Sequence, residues 1–428
     1  MLSRRRFTEL LTLSSSVAFL ARDAHGLETT AYSTDPLPKT PARPDERFWQ
    51  QVRSRYLVPD DVAFLNAANL CPMPLPVLEA LDRQNRRYEV GPSPDVRAHL
   101  MSEGREAART LLATMLGVAP ETIVITRNTS EGNNMVSSGV PLGPDDEVIV
   151  FSDNHPSNLL AWTEKARRFG FRVKTLAHVV PHPGAEYYVD LFRQAITPRT
   201  RLIGFTHLTS NSGDLFPAAE ICAMARARGV LTLLDAAQTF GGLDIDLSRI
   251  QPDFFTGSAH KWPCGPKECG VLYVRPDAQD RIWPSVVGVY AGAVGVSRKL
   301  EGMGQRDDVR LVALAEALRF REAIGRSVIE ARIRELAQAL MEGLSGLPGV
   351  ALYTHRSPDR SASLVVVRPG ALDPRKLGAA LMEKERIVCT VRGGQDRPGL
   401  RFSPHLYNTM ADVDRTVATV RRYLSTGV

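Results

Sequence analysis

The stretch Thr256-Gly257-Ser258-Ala259-His260-Lys261-Trp262 decides the reading of this chain. It is followed by Pro263-Cys264-Gly265-Pro266-Lys267-Glu268-Cys269-Gly270 and the apolar run Val271-Leu272-Tyr273-Val274. Lys261 lies among small and polar residues, between the pair Phe254-Phe255 and what reads as a buried strand. Lysine is rarely placed beside buried strands, because its ammonium is costly to remove from water. One chemistry wants it there: an amine that condenses with an aldehyde, with hydroxyl and imidazole donors nearby to hold an anion such as phosphate. A loop lysine is by default a solvated surface residue, so the rest of the chain must carry the argument.

Upstream, Val230-Leu231-Thr232-Leu233-Leu234-Asp235-Ala236-Ala237-Gln238 reads as a buried parallel strand ending in a carboxylate. Ligands of open α/β sheets collect at that edge of the sheet. By itself, such an Asp serves equally well as a helix N-cap. Thr122 to Thr126 reads as another strand, running through Arg127-Asn128 into Thr129-Ser130-Glu131-Gly132. Hydroxyls and free amides at a helix start can hold a phosphate, and the same residues also suit a plain cap.

The ordered set of motifs resembles the class V (fold type I) pyridoxal phosphate enzymes from about Phe64 to Val420. Their lysine loop S-x-H-K…G-P…G matches Ser258, His260 and Lys261, and their D-x-A-Q matches Asp235, Ala237 and Gln238. Asp153-Asn154-His155-Pro156-Ser157-Asn158 to Trp162 resembles their E-H-x-x-N…W segment, and Leu400-Arg401-Phe402-Ser403 to Tyr407-Asn408 their R-x-S…Y-N stretch. The resemblance implies the cofactor pyridoxal 5'-phosphate, with Lys261, Asp235 and His155 as the catalytic residues. Lys261 would carry the cofactor, Asp235 would hold the pyridine nitrogen protonated, and His155 would stack on the ring. Thr129, Ser130, Ser258 and His260 would bind phosphate, and Gln238 would lie near the phenolic oxygen. Arg401 would grip a substrate carboxylate through its bidentate fork, and Arg392 is assigned to substrate binding with it.

Three departures narrow the activity. Cysteine desulfurases carry a nucleophilic thiol shortly before that arginine, whereas Val391 to Gly399 contains none. Cys389, inside the apolar run Ile387 to Val391, reads as a buried strand residue. Ser210 stands where desulfurases have a ring-contacting asparagine, with Asn211 one place on. Gln305, in Gly304-Gln305-Arg306-Asp307, replaces the family's cross-subunit threonine, and with it belongs to the cofactor-binding set of a homodimer.

Ser3-Arg4-Arg5-Arg6-Phe7 resembles a twin-arginine export signal, and the uncharged run Leu10 to Ala21 suits a signal h-region. The expectation is a signal over 1–26, export of the folded enzyme by the twin-arginine machinery, and a periplasmic location. A Pro-rich tether over 27–45 follows. Residues 46–75 are expected to join the small domain, with a large cofactor domain over 76–305 and a small C-terminal domain over 306–428. The expected fold is α/β, a fold type I transferase. Its large domain would carry a mostly parallel, seven-stranded-type sheet, beside a smaller α+β domain. The chain has 428 residues, 43% hydrophobic and 23% charged, enough for a large α/β core. The net charge is +6, of which residues 1–26 supply +2, too weakly basic for nucleic-acid binding. No stable membrane anchor is expected, and no metal. Five cysteines, an odd number, argue against a complete disulfide framework, while Cys264 and Cys269 are read as thiols or a local bridge.

An exported pyridoxal phosphate enzyme points to a molecule matured outside the cytoplasm. The exported class V proteins that this chain resembles tailor pyoverdine siderophores. The resemblance implies conversion of the glutamate side group of pyoverdine or its precursor to succinamide by oxidative decarboxylation. The alternatives are transamination to an α-ketoglutarate group, or an aminotransferase or epimerase acting on another amino acid.

Overall fold

The computed structural model describes residues 32–33, 35–392 and 397–428. The signal expected over 1–26 lies outside the described residues. Of the tether, residues 35–44 form neither helix nor strand. They lie against the enzyme, with Leu37 packed on a buried cluster and Thr40 donating to the Ala323 carbonyl at 3.1 Å.

The chain enters through a helix, Glu46–Arg53, capped by the Asp45 side chain. Strand β1 (Ala63–Phe64) follows. The main sheet is then built from β2 (Ile123–Thr126), β3 (Glu147–Phe151), β4 (Arg172–Leu176), β5 (Thr200–Thr206), β6 (Leu231–Asp235), β7 (Phe254–Ser258) and β8 (Gly270–Val274). Its order is β2-β8-β7-β6-β5-β3-β4. All pairs are parallel except those of β8, which runs against both of its neighbours. The expected mostly parallel sheet of seven strands is therefore present. Every residue of β2, β6, β7 and β8 is buried, as expected for strands covered on both faces, whereas the edge strand β4, Arg172-Val173-Lys174-Thr175-Leu176, is largely open.

The helix Thr129–Gly139 lies directly on β7. Gly132 permits that approach, since a Cβ there would stand 2.7 Å from the Thr256 methyl group. Likewise a Cβ on Gly257 would meet the Phe240 ring at 2.5 Å. These contacts bring the helix start close to the C-terminal end of β7.

The C-terminal part holds β9 (Val350–Leu352), β10 (Val365–Pro369), β11 (Ile387–Val388), β12 (Thr390–Arg392) and β13 (Gly399–Phe402). Four of them form an antiparallel sheet of order β12-β13-β10-β9, while β11 pairs with β1 in parallel. Ala63 and Leu65 pack in one cluster with Leu336, Val365, Leu400 and Phe402. The apolar run Ile387 to Val391 is thus not a single buried strand. It breaks at Cys389, which is half-buried between two strands of different sheets. The break arises because β11 must reach β1 while β12 must pair with β13.

A buried ion pair ties the helix Ala107–Leu116 to the first strand of the sheet. Arg109 and Glu301 are both fully buried. Arg109 donates to the two carboxylate oxygens of Glu301 at 2.6 and 3.0 Å and to the Ile123 carbonyl at 2.8 Å. Glu301 also accepts from the Ile125 amide at 2.6 Å. Removing one partner leaves the other charge buried with only a secondary counter-charge, Glu106 for Arg109 and the more distant Arg306 for Glu301. Arg109→Ala or Glu301→Ala should therefore each cost about 3–5 kcal/mol in denaturant unfolding, far more than an exposed pair such as Arg167–Glu164.

Candidate active site

The C-terminal ends of β2, β3, β5, β6 and β7 deliver the residues singled out in the sequence. This is the edge at which open α/β sheets bind ligands. Each strand ends and turns within a few residues, so side chains from distant parts of the sequence meet there.

At the end of β7, the Ser258 hydroxyl lies 2.7 Å from the Thr129 hydroxyl and accepts from the Thr129 amide at 2.9 Å. Thr129 begins an 11-residue helix capped by the Asn128 side chain, so free amides and two hydroxyls face the same place. Ser130 is exposed, and its hydroxyl reaches Ser157 at 3.2 Å. A cluster of amides and hydroxyls at a helix start suits a phosphate.

Asp235 ends β6 and is 2% exposed. One carboxylate oxygen accepts from Asn133 at 2.8 Å and Asn158 at 3.1 Å, and the other accepts from the Ala237 amide at 3.1 Å. It caps no regular helix, so the plain N-cap alternative does not hold. Asn133 is in turn oriented by the Thr256 hydroxyl at 2.8 Å. Both asparagines are fully buried. The sequence reading assigned them no role, although each lies on the buried face of a helix that starts at the site. Asn133 sits one turn after Thr129, a spacing that places both on one side of the helix.

Lys261 follows β7 in a loop whose amine feels several charges. Burial, acting against the nearby Asp235 and joined by the positive Arg401 and Arg392, lowers it to about 8. His260 is lowered to about 4 by burial and by the Lys261 and Lys267 charges. His155 caps the helix Pro156–Phe169, its Nδ1 accepting from the Ser157 amide at 3.3 Å. Part of the ring is open to solvent. Its surroundings nonetheless lower it to about 4, first by desolvation and then through the Lys261 charge. A neutral imidazole presents a flat apolar face, as a stacking partner requires.

Arg401, in β13, and Arg392, at the end of β12, converge on one backbone atom. They donate to the Ser210 carbonyl at 3.2 and 2.7 Å respectively. Ser210 thus offers its carbonyl to both arginines. Among the described residues, the Nε of each arginine is buried without a hydrogen-bond partner. Burial pushes both guanidiniums below the usual arginine range. The Arg392 charge adds to it at Arg401, while at Arg392 the Asp153 charge opposes burial and the Arg397 charge adds to it, leaving Arg392 at about 10. Two buried cations with unsatisfied donors are an anion site that the fold leaves open.

Gln238 accepts from the Trp262 indole at 3.1 Å and donates to the Ala68 carbonyl at 3.0 Å, fastening the opening segment to the lysine loop. Gln305 is exposed, while the adjacent Arg306 donates to the Ile125 carbonyl at 2.8 Å. Asn211 holds the buried Asp153 carboxylate at 2.9 Å, and Arg397 pairs with the same carboxylate.

The pH behaviour of Lys261 can be measured directly. Below about 8 its amine is protonated, so condensation of the apoenzyme with pyridoxal phosphate should quicken about tenfold per pH unit from pH 6. Above about 8 the rate should level off, whereas an ordinary lysine would keep gaining to above 10. Stopped-flow absorbance reads this, and Lys261→Ala should abolish the signal.

Comparison with known proteins agrees with this geometry. Residues 63–416 match the aminotransferase class-V family. The chain is 32% identical over 395 residues to isopenicillin N epimerase of Streptomyces clavuligerus, covering 86% of this chain and 96% of that protein. It is 28% identical over 379 residues to a probable cysteine desulfurase of Halalkalibacterium halodurans, covering 82% and 91%. Among solved structures, the complex of the cystine C–S lyase C-DES with its product cysteine persulfide matches with a TM-score of 0.78 at 25% identity, covering 85% of this chain and 98% of that one. A C-DES mutant with glycine covalently linked to the PLP cofactor shares the fold, with a TM-score of 0.80 at 24% identity over 89% and 99%. The hydroxyl and amide cluster, the buried carboxylate and the buried amine fit that cofactor in kind. The chain belongs to the class-V aminotransferase family, has the fold type I architecture, and is a pyridoxal phosphate-dependent enzyme.

Proposed function

We propose that this enzyme acts at the α-carbon of an α-amino acid group bearing a free carboxylate, and that it is not a cysteine desulfurase. The convergence of Arg401 and Arg392 on the Ser210 carbonyl, each with an unpartnered buried Nε, carries the reading. Such a pair binds a carboxylate bidentately and fixes the orientation of the α-carbon beside it. Pyridoxal phosphate, when bound, supplies an electron sink for the pair left by a broken α-carbon bond. Asp235, fixed by two asparagines, is placed to keep the ring nitrogen protonated. Lys261, with an amine lowered to about 8, can accept and return a proton near neutral pH.

A carboxylate held by both arginines is not free to turn perpendicular to the ring, which favours breaking the Cα–H bond. Similarity to proteins named isopenicillin N epimerase supports the same bond. Persulfide chemistry lacks support in the residues, because Arg392 to Gly399 contains no thiol and Cys389 lies in the strand break. Burial also pushes the Cys389 thiol up to about 12.

The substrate we assign is the glutamate side group of pyoverdine or its precursor, encountered after export. The export-like Ser3 to Phe7 segment supports this substrate, as does the resemblance to pyoverdine-tailoring enzymes. Transamination and epimerisation follow from Cα–H cleavage. Oxidative decarboxylation to succinamide, the outcome implied by the PvdN-type resemblance, would require the carboxylate to leave the plane set by the arginines.

Mass spectrometry of siderophores from a deletion strain tests the substrate. Accumulation of the glutamate form with loss of an α-ketoglutarate or succinamide form is expected, and the form lost names the reaction. An unchanged siderophore profile overturns the pyoverdine assignment. With the purified enzyme, Arg401→Ala should lower kcat/KM about 100-fold or more on the identified substrate, since one partner of a buried charged contact is lost. Retained activity would remove the arginines from substrate binding.

We further propose a periplasmic homodimer. The exposed apolar residues Trp283, Val286, Val287, Val289 and Tyr290 form a patch suited to a second copy, and Gln305 is exposed to reach across. Cell fractionation followed by sedimentation should give a periplasmic dimer, held back in the cytoplasm by Arg4→Lys with Arg5→Lys. A periplasmic protein despite both replacements, or a monomer at full cofactor occupancy, counts against this proposal.

A further inference from the structure

Behind the lysine loop lies a buried side-chain cluster to which the proposed reaction gives no role. Cys71 comes from the opening segment and Cys264 from the loop three residues after Lys261. Their sulfurs and the Nε2 of His405 all lie within 4.8 Å of one another. Cys71 is 7% exposed, Cys264 1% and His405 0%. The Cys264 sulfur is 3.5 Å from His405 Nε2, and the Cys71 sulfur is 3.5 Å from the Tyr407 hydroxyl. The two backbones are already joined beside the pair, where the Cys71 amide donates to the His260 carbonyl at 2.8 Å. Cys264 adopts φ +54, a left-handed conformation rare for a residue with a side chain, which fixes where its sulfur points.

A cation is the first alternative for two thiols and an imidazole. The imidazole is not free to ligate one. Nε2 donates to the Trp262 carbonyl at 2.8 Å, and Nδ1 accepts from the Leu406 amide at 2.6 Å. Two sulfurs alone do not make a tetrahedral site. Cys269, the nearer neighbour in sequence, turns its sulfur to the Arg310 carbonyl at 3.8 Å instead.

We propose that Cys71 and Cys264 are a redox pair that closes to a disulfide and fastens the opening segment to the lysine loop. Small exogenous disulfides, or the thiol–disulfide oxidoreductases of an oxidising compartment, accept the electrons. The Cys264 thiolate attacks the exogenous disulfide, forming a mixed disulfide and releasing one thiolate. The Cys71 sulfur then displaces the second thiolate and forms the new S–S bond. Both cysteine protons end on the two thiols released, so two cysteines are oxidised and one disulfide is reduced. Burial pushes the Cys71 thiol up, while the neighbouring Cys71 thiol, His405 and Arg321 hold the Cys264 thiol down against its own burial. This asymmetry suits Cys264 as the attacking sulfur. The bond would close a loop of nearly 200 residues, and long loops lose the most chain entropy when cross-linked. It would also pin Gln238, Trp262 and Ala68, which already bridge the same two segments. The inference stands apart from any choice of substrate.

The holoenzyme is incubated with oxidised glutathione at several temperatures up to just below its Tm, then denatured and alkylated. Three of the five cysteines should take the label, against five after dithiothreitol. Peptide mapping should join Cys71 to Cys264, and Tm should rise by roughly 5 °C or more in the oxidised form. Cys269→Ser should leave the cross-link intact, whereas Cys264→Ser should abolish it. If Cys264→Ser does not fold, the map of the unsubstituted protein decides. Five labelled cysteines at every temperature, a bridge to any other cysteine, or stoichiometric zinc that masks both thiols overturns the proposal.

Discussion

A carboxylate buried at the end of a central parallel strand is the constraint around which this molecule is arranged. Asp235 is nearly inaccessible, and a bare carboxylate in that position would be prohibitively costly. Three hydrogen bonds, from Asn133, Asn158 and the Ala237 amide, offset much of the cost. Those donors come from two helices and a turn. The helices can only supply them if they start at the same sheet edge. The right-handed βαβ connections of a parallel sheet bring both helix starts there.

The positive charge of the site follows the opposite logic. Arg392 and Arg401 lower the Lys261 amine, Arg392 lowers Arg401, and among the described residues the two guanidiniums share one carbonyl. Gathering like charges in a poorly solvated place lowers stability in the absence of anions. It also makes the binding of a phosphate and a carboxylate favourable. A strained site of this kind is tolerated because the surrounding frame is over-determined. The Arg109–Glu301 pair, which fixes a helix to β2, is one such anchor.

The class-V fold is shared by proteins named for different reactions, from epimerase to desulfurase. Differences among them must therefore lie in the residues that face the substrate. In the function we propose, those residues include two arginines on strands of the C-terminal sheet. The opening segment joins the C-terminal part through β1, which pairs with β11, and reaches the loops after β6 and β7 through the clasp of Gln238 on Ala68 and Trp262.

Much of the candidate site was legible in the sequence because its chemistry is local. A lysine in a small-residue loop, an Asp ending an apolar run and hydroxyls at a helix start each carry their meaning within a few residues. The parallel sheet was legible too, since continuous apolar runs alternating with helices have few other solutions. Asn133 and Asn158 escaped notice as the holders of Asp235, because their partner is distant in sequence and only the packing of helix on strand brings them together. The same reason explains Cys389, whose apolar surroundings suggested one strand where two sheets compete for the chain. It explains Cys264 as well, for which nearness to Cys269 in sequence left both a free thiol and a local bridge open, and whose sulfur the fold places near Cys71. Local residue chemistry was enough to determine the cofactor and the class of fold. Only the tertiary structure decided which buried polar groups meet, because those encounters depend on long-range packing that no local pattern encodes.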